Sequence, residues 1–290
     1  MSEEVRRVER VLPPVDTVEG AGVRLKRLFG HGQVPMLDPF LLLDHFGSSN
    51  PLDYEAGFPW HPHRGIETVT YMLNGRVEHG DTLGNSGVIG SGDVQWMSAG
   101  SGLLHQEMPK RIEGTMDGFQ LWVNLPASRK MSEPEYRGLE AKDFPVVARP
   151  DGARIKVVAG SFDGVRGPVE GIPVDPTYLD VALPAHGEFT HAPPKDHTAF
   201  GFVIEGEGQM DPQQPHPMGP NHVGVYGVGD SVRVRAGERG MRFLFVTGRP
   251  LHEPVAWYGP IVMNTQEQLM EAVTELRRGD FIKHKKVTED

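Results

Sequence analysis

Val88-Ile-Gly-Ser-Gly-Asp-Val-Gln-Trp-Met-Ser-Ala-Gly100 and Val225-Tyr-Gly-Val-Gly-Asp-Ser-Val-Arg-Val-Arg-Ala-Gly237 follow one pattern, V-x-G-x-G-D-x5-A-G, the second copy 137 residues after the first. Each copy reads as a glycine-rich turn, a short strand and another turn. An apolar strand ending in a turn precedes each: Thr68–Leu73 before Asn74-Gly75, and Phe200–Ile204 before Glu205-Gly-Glu-Gly208. Asn-Gly is a strong hairpin signal, because both residues accept positive φ. A pattern repeated at long spacing implies a repeated supersecondary unit. The expectation is an all-β chain of two tandem barrels.

Composition agrees. Gly (36) and Pro (25) punctuate the 290 residues between short apolar runs, as in a protein of many short strands. Further strands are expected at Phe119–Leu125, Ile155–Ala159, Val232–Arg235 and Phe243–Val246. Pro126–Pro150, rich in charge and proline, reads as the connection between the barrels, and Gln209–Pro220 as a polar loop. The expected domains are 1–135 and 136–290. One helix is clear: Thr265-Gln-Glu-Gln268 fits a capping box, Leu269, Val273 and Leu276 share a face, and Gly279 closes it.

Several function classes lose ground. There is no Cys, so disulfides and thiolate ligands are excluded. The formal net charge of -10 disfavours direct contact with nucleic acid. No apolar run approaches a membrane span, and the N-terminus lacks the apolar core of a secretory signal. A cytoplasmic protein is expected.

The chemistry lies in two short pairs, His61-Pro62-His63 and His105-Gln106-Glu107. Residues two apart on a strand share a face. Two strands meeting across a barrel could converge three imidazoles and one carboxylate, a donor set for a divalent transition metal. At the 137-residue offset, Arg242 and Leu244 stand opposite His105 and Glu107, and only His197 falls in the region of the His-x-His pair. The expectation is one metal site, in the first domain. His191, His197, His216 and His222 lack ligand spacing and are read as non-metal.

FPWHPHRGIETVTYMLNG (58–75) and GDVQWMSAGSGLLHQEMP (92–109) resemble the signature stretches of the pirin family, two-barrel members of the cupin superfamily. MLDPFLLLDHFG (36–47) and EPVAWYGPIVMNTQEQL (253–269) extend the resemblance over most of the chain. It implies two cupin-type jelly rolls and a metal, usually iron, held by His61, His63, His105 and Glu107. It also implies a monomer. In many cupins the carboxylate ligand comes from the first motif, where Glu67 stands here; in pirins it comes from the second. Glu67 is therefore expected either behind the ligands, where it would orient an imidazole, or in a purely structural role.

Two activities follow as implications of the resemblance. One is quercetin (flavonol) 2,3-dioxygenase activity, in which Glu107 accepts the proton of the 3-hydroxyl and dioxygen opens the central ring with loss of carbon monoxide. The other is an iron-dependent regulator without catalysis, binding a transcription factor or a metabolic enzyme. Fe(II) is the expected ion, with Mn, Ni, Cu and Zn as alternatives, because raw affinity alone favours later metals. Trp60, Trp96, Met97, Met108, Phe46 and Phe119 flank the ligands or sit on neighbouring strands; each taken singly reads as plain core before substrate contact, and together they predict a mostly apolar pocket suited to a flat aromatic ligand. Asp44 and His45 interrupt an apolar stretch and are expected near the ligands.

Overall fold

The computed structural model describes residues 4–34 and 36–284. They form two compact units, each a cupin-type barrel of antiparallel strands. Of the described residues, one unit comprises 15–34, 36, 40–141 and 251–284; the other comprises 4–14, 37–39 and 142–250. The expected division at 135/136 therefore falls six residues short of the crossing at Ala141/Lys142, and the chain ends do not follow it. The strand Val8–Leu12 pairs with Val223–Tyr226 of the second unit. The helix Gln266–Arg278 packs with Ala256, Ile261 and Met263 in the first. Edge strands left open invite pairing, and the terminal strand closes one such edge.

In the first unit a seven-stranded sheet faces a four-stranded one. Leu25, Phe46, Met72 and Met116 of the larger sheet pack with Val77 and Ile89 of the smaller. The smaller sheet carries Phe58–His63 beside Leu103–Pro109, then Val77–Asp81 and Ser86–Ile89. Pro126–Pro150 is not a plain linker: Glu135–Leu139 extends the large sheet of the first unit, and Val146–Ala148 pairs with Arg154–Ala159 in the second.

The helix forms as its sequence requires. Thr265 Oγ1 accepts from the Gln268 amide, the Gln268 side chain returns the bond, and Gly279 ends the helix at φ 80. Leu269 and Ala272 are buried, with Val273 and Leu276 partly so.

The second unit is one sheet of eight strands curled around its core. The two runs expected at Val232–Arg235 and Phe243–Val246 are halves of a single strand, Val232–Gly248, which bends between them. This changes the meaning of the repeat. In the first copy the strand after Gly92-Asp93, Val94–Ser98, lies next to Ile66–Asn74 in the large sheet. In the second copy the residues after Gly229-Asp230 pair with Glu188–His191, the position that Leu103–Pro109 holds beside Phe58–His63. The strand that matches Val94–Ser98 by its neighbours is Val223–Tyr226, beside Thr198–Gln209. The similar sequences thus frame non-equivalent strands, because the pattern records a turn-strand-turn preference that fits either place. The 137-residue correspondence of Arg242 and Leu244 with the ligand pair does not hold in the fold.

Candidate metal centre

The site is built on the small sheet of the first unit. His61 and His105 are direct cross-strand partners, and His63 faces Leu103. Along Leu103–Pro109, His105 and Glu107 point inward with Leu103 and Pro109, while Gln106 and Met108 are less covered. The pairing shifts between His105 and Glu107, where Glu107 opposes Phe58. Such an irregularity re-aims a side chain.

The three imidazoles converge. One nitrogen from each of His61, His63 and His105 lies within 4.8 Å of the others. His61 Nδ1 is 2.9 Å from the Pro59 carbonyl and His63 Nδ1 is 3.3 Å from that of Pro260. A carbonyl only accepts, so each Nδ1 carries the proton and each Nε2 is left with a lone pair. Those two Nε2 atoms nevertheless sit 3.1 Å apart. Two facing lone pairs repel unless a cation lies between them. His105 Nε2 is buried and has no hydrogen-bond partner. Burial pushes His61 below the ordinary histidine range, and pushes His63 and His105 well below it with help from neighbouring imidazoles. The three are neutral at pH 7, the form that binds a metal. The donor set fits a divalent ion.

Glu107 stands on the same strand and face. Burial raises its carboxyl to about 7, opposed by a bond from Thr70 Oγ1 to Oε1 at 2.8 Å. Among the described residues the cluster within 4.8 Å comprises the histidines alone.

A segment from late in the chain holds His63. Beyond the Pro260 carbonyl, the Val262 amide donates to the Arg64 carbonyl at 3.1 Å. Buried Lys130 bonds the carbonyls of Gly65 and Val262 and the side chain of Asn124. Gly65 has φ +76, and a Cβ there would lie 1.9 Å from the Val262 carbonyl oxygen. Only glycine lets the two backbones approach so closely. Arg64 pairs with Glu275 at 2.7 Å and donates to the Phe281 carbonyl at 2.8 Å. Sequence reading missed this clamp, because residues 251–284 follow the second barrel yet fold into the first.

His61 and His63 border a cavity of about 680 Å³. Leu42, Phe46, Phe58 and Trp122 are among its apolar walls, with Thr70, Gln120 and Glu107 as polar groups. Of the expected lining residues, Phe46 is there. Trp60 is 52% exposed, and Met108 adjoins Glu107 on the opposite face of its strand. Met97 packs with Ala99 and Leu103. Trp96 and Phe119 lie on the other face of the large sheet: the Trp96 indole donates to Glu67 at 3.1 Å, and Phe119 stacks on His45. Glu67 therefore orients no imidazole. It is one residue out of phase with Thr68 and Thr70, so it points away from the site, and burial raises it to about 7. Asp44 and His45 separate in the same way. Asp44 faces the cavity, bound by Arg27 through two bonds of 2.9 and 2.8 Å. His45 faces the other side, bonded to Asp117 at 2.7 Å.

In the second unit the strands equivalent to the two ligand strands send Phe189, Val232, Val234 and Ala236 into the core. Phe189 stacks on Phe162 at 5.5 Å and meets Phe243 edge-on at 5.5 Å. His191 lies among Phe162, Phe189 and Phe245, while His216 is exposed. Arg242 pairs with Asp180.

A double cupin with one histidine-lined cavity is the class that fold and site define. Residues 22–123 match the Pirin family model and 178–282 match the Pirin C-terminal cupin domain. A pirin-like protein of Caulobacter vibrioides is 48% identical, over 96% of this chain and 99% of its own length. Pirin of Homo sapiens is 41% identical, over 89% of this chain and 88% of its own. The chain belongs to the pirin family. A crystal structure titled quercetin 2,3-dioxygenase from Acinetobacter baumannii superposes with a TM-score of 0.88 at 33% identity, covering 97% of this chain and 99% of that one. No helix among the described residues is long and apolar enough to cross a membrane.

Proposed function

We propose that this chain is a mononuclear metal-dependent dioxygenase of flavonols such as quercetin, with Fe(II) bound by His61, His63, His105 and Glu107. The observation that carries the proposal is the orphaned, buried His105 Nε2 behind the His61–His63 contact, where His61 and His63 stand at the wall of a cavity that is otherwise largely apolar. The structural relative titled quercetin 2,3-dioxygenase supports the substrate class. A bound divalent ion supplies Lewis acidity and contact with dioxygen, which no side chain here provides.

The protein's own groups do the rest. Burial raises the Glu107 carboxyl to about 7 in the ion-free protein; beside a bound ion it would be a carboxylate, the form that accepts a proton from a substrate hydroxyl. The Thr70 hydroxyl holds the carboxylate in place. Leu42, Phe46 and Trp122 give a flat ring apolar contact and exclude water. Neutral imidazoles leave the carboxylate as the one anionic donor.

The test is to load the protein with Fe(II) without air, add quercetin, admit dioxygen and follow the loss of flavonol absorbance. Turnover that disappears in His61→Ala is expected. Tight metal binding with no turnover across a flavonol panel would transfer the case to the regulatory reading. A Glu107→Gln protein that kept both metal and full turnover would remove Glu107 as the base.

A further inference from the structure

One polar row crosses the floor of the cavity. Arg27 pairs in register with Asp44, Asp44 with Gln120, and Gln120 with Thr70. Direct partners on one face sit about 5 Å apart, so the row is continuous across four strands and ends on Glu107 through the Thr70 hydroxyl. The rows beside it carry Leu42 with Trp122 and Thr68, and Phe46 with Gly118 and Met72. The floor is thus a polar stripe between mostly apolar ones.

Proton accounting along the stripe fixes the middle residue. Thr70 Oγ1 is 2.8 Å from Glu107 Oε1 and 2.6 Å from the Gln120 amide atom placed as Oε1. A hydroxyl has one proton and cannot donate to both. With an ion bound, Glu107 is a carboxylate and only accepts, so the proton goes to it. The Gln120 amide must then donate to Thr70 through Nε2; heavy-atom positions alone do not distinguish its nitrogen from its oxygen. That turns Oε1 toward the cavity, which Gln120 lines. The carboxylate beside it, Asp44, is held by Arg27 and offers no proton.

We infer that Gln120 is a specificity residue whose amide oxygen accepts a hydrogen bond from a ligand hydroxyl, one strand spacing from the oxygen that Glu107 deprotonates, and that Thr70 positions it. The inference rests on the flavonol reading and sharpens it to hydroxylated flavonols over the bare ring system. An ether or a hydrogen at that place leaves the oxygen unpaired and weakens binding.

The experiment uses full-length protein loaded with Zn(II), which binds ligand without oxidising it. Tryptophan quenching gives Kd for 3-hydroxyflavone and for its singly hydroxylated derivatives. At least one derivative should bind wild type roughly 3- to 10-fold more tightly than the parent, the range of one neutral hydrogen bond. Gln120→Met, similar in length but unable to hold that bond, should erase the margin between derivative and parent. Thr70→Val should reduce the margin and Thr70→Ser should keep it. A margin that survives Gln120→Met, or no margin in wild type, overturns the inference and leaves the flavonol reading standing. Failure of 3-hydroxyflavone itself to bind wild type overturns both.

Discussion

The two barrels share a strand plan and differ in what fills it. At the crossing of Phe58–His63 with Leu103–Pro109, the first places three imidazoles and a carboxylate. At the corresponding crossing of Glu188–His191 with Val232–Gly248, the second places Phe189, Val234 and Ala236. Aromatic stacking satisfies that interior without help. The first interior keeps an unpartnered His105 nitrogen and two opposed lone pairs, an arrangement that costs stability unless a cation joins it. One barrel is therefore a packed core and the other holds a candidate site, although a single backbone architecture serves both.

Exchange of contents breaks the comparison most severely. His61→Phe with His105→Val gives the first barrel what the second holds. Elemental analysis should fall from one equivalent of metal per chain to near zero, with the circular dichroism of the fold retained. The reverse weakening, Phe189→Ala, should cost about 3–5 kcal/mol in denaturant unfolding, the usual range for a buried phenylalanine, and leave metal stoichiometry at one. Metal loss in that variant would mean the second barrel contributes to the site.

Proton competition gives a smaller, graded effect. With the histidines already neutral, the proton displaced at neutral pH is that of Glu107, held up to about 7. Metal affinity should rise about tenfold per pH unit below 7 and level off above it, and Glu107→Gln should flatten this slope. Metal-competition titrations at several pH values measure it.

Glu67 should matter least to the ion. Glu67→Gln is expected to change metal affinity by less than about twofold, because the side chain lies on the far face of the sheet. Its signature is in stability instead. A carboxyl raised to about 7 by burial binds its proton more tightly folded than unfolded. Its contribution is full below the ordinary carboxylate range and is lost as pH rises through about 7. Unfolding free energy of the metal-free variant should therefore decline less than that of wild type over this interval.

Much of the site was legible. Two pairs with two-residue spacing fixed which side chains share a face, and the capping residues fixed the helix. Parity also carried information that went unused: Trp60 adjoins His61 and Met108 adjoins Glu107, so neither could face the ligands from a regular strand. Phe119, Trp96 and Glu67 were harder, because their facing depends on register between strands. Turns and irregularities such as the shift at His105/Glu107 set that register. The polar row from Arg27 to Thr70 comes from four separate strands and has no trace in local sequence. The return of Pro260 to His63 is a matter of topology, and the repeat misled because similar turn-strand-turn segments occupy different places in the two barrels.

Crystals of the metal-loaded protein, measured at the absorption edge of the ion, test the central claim most directly. The account predicts one anomalous peak per chain, bonded to Nε2 of His61, His63 and His105 and to a carboxylate oxygen of Glu107. A peak elsewhere, a peak in the second barrel, or an ion that leaves His105 Nε2 unbound would contradict it.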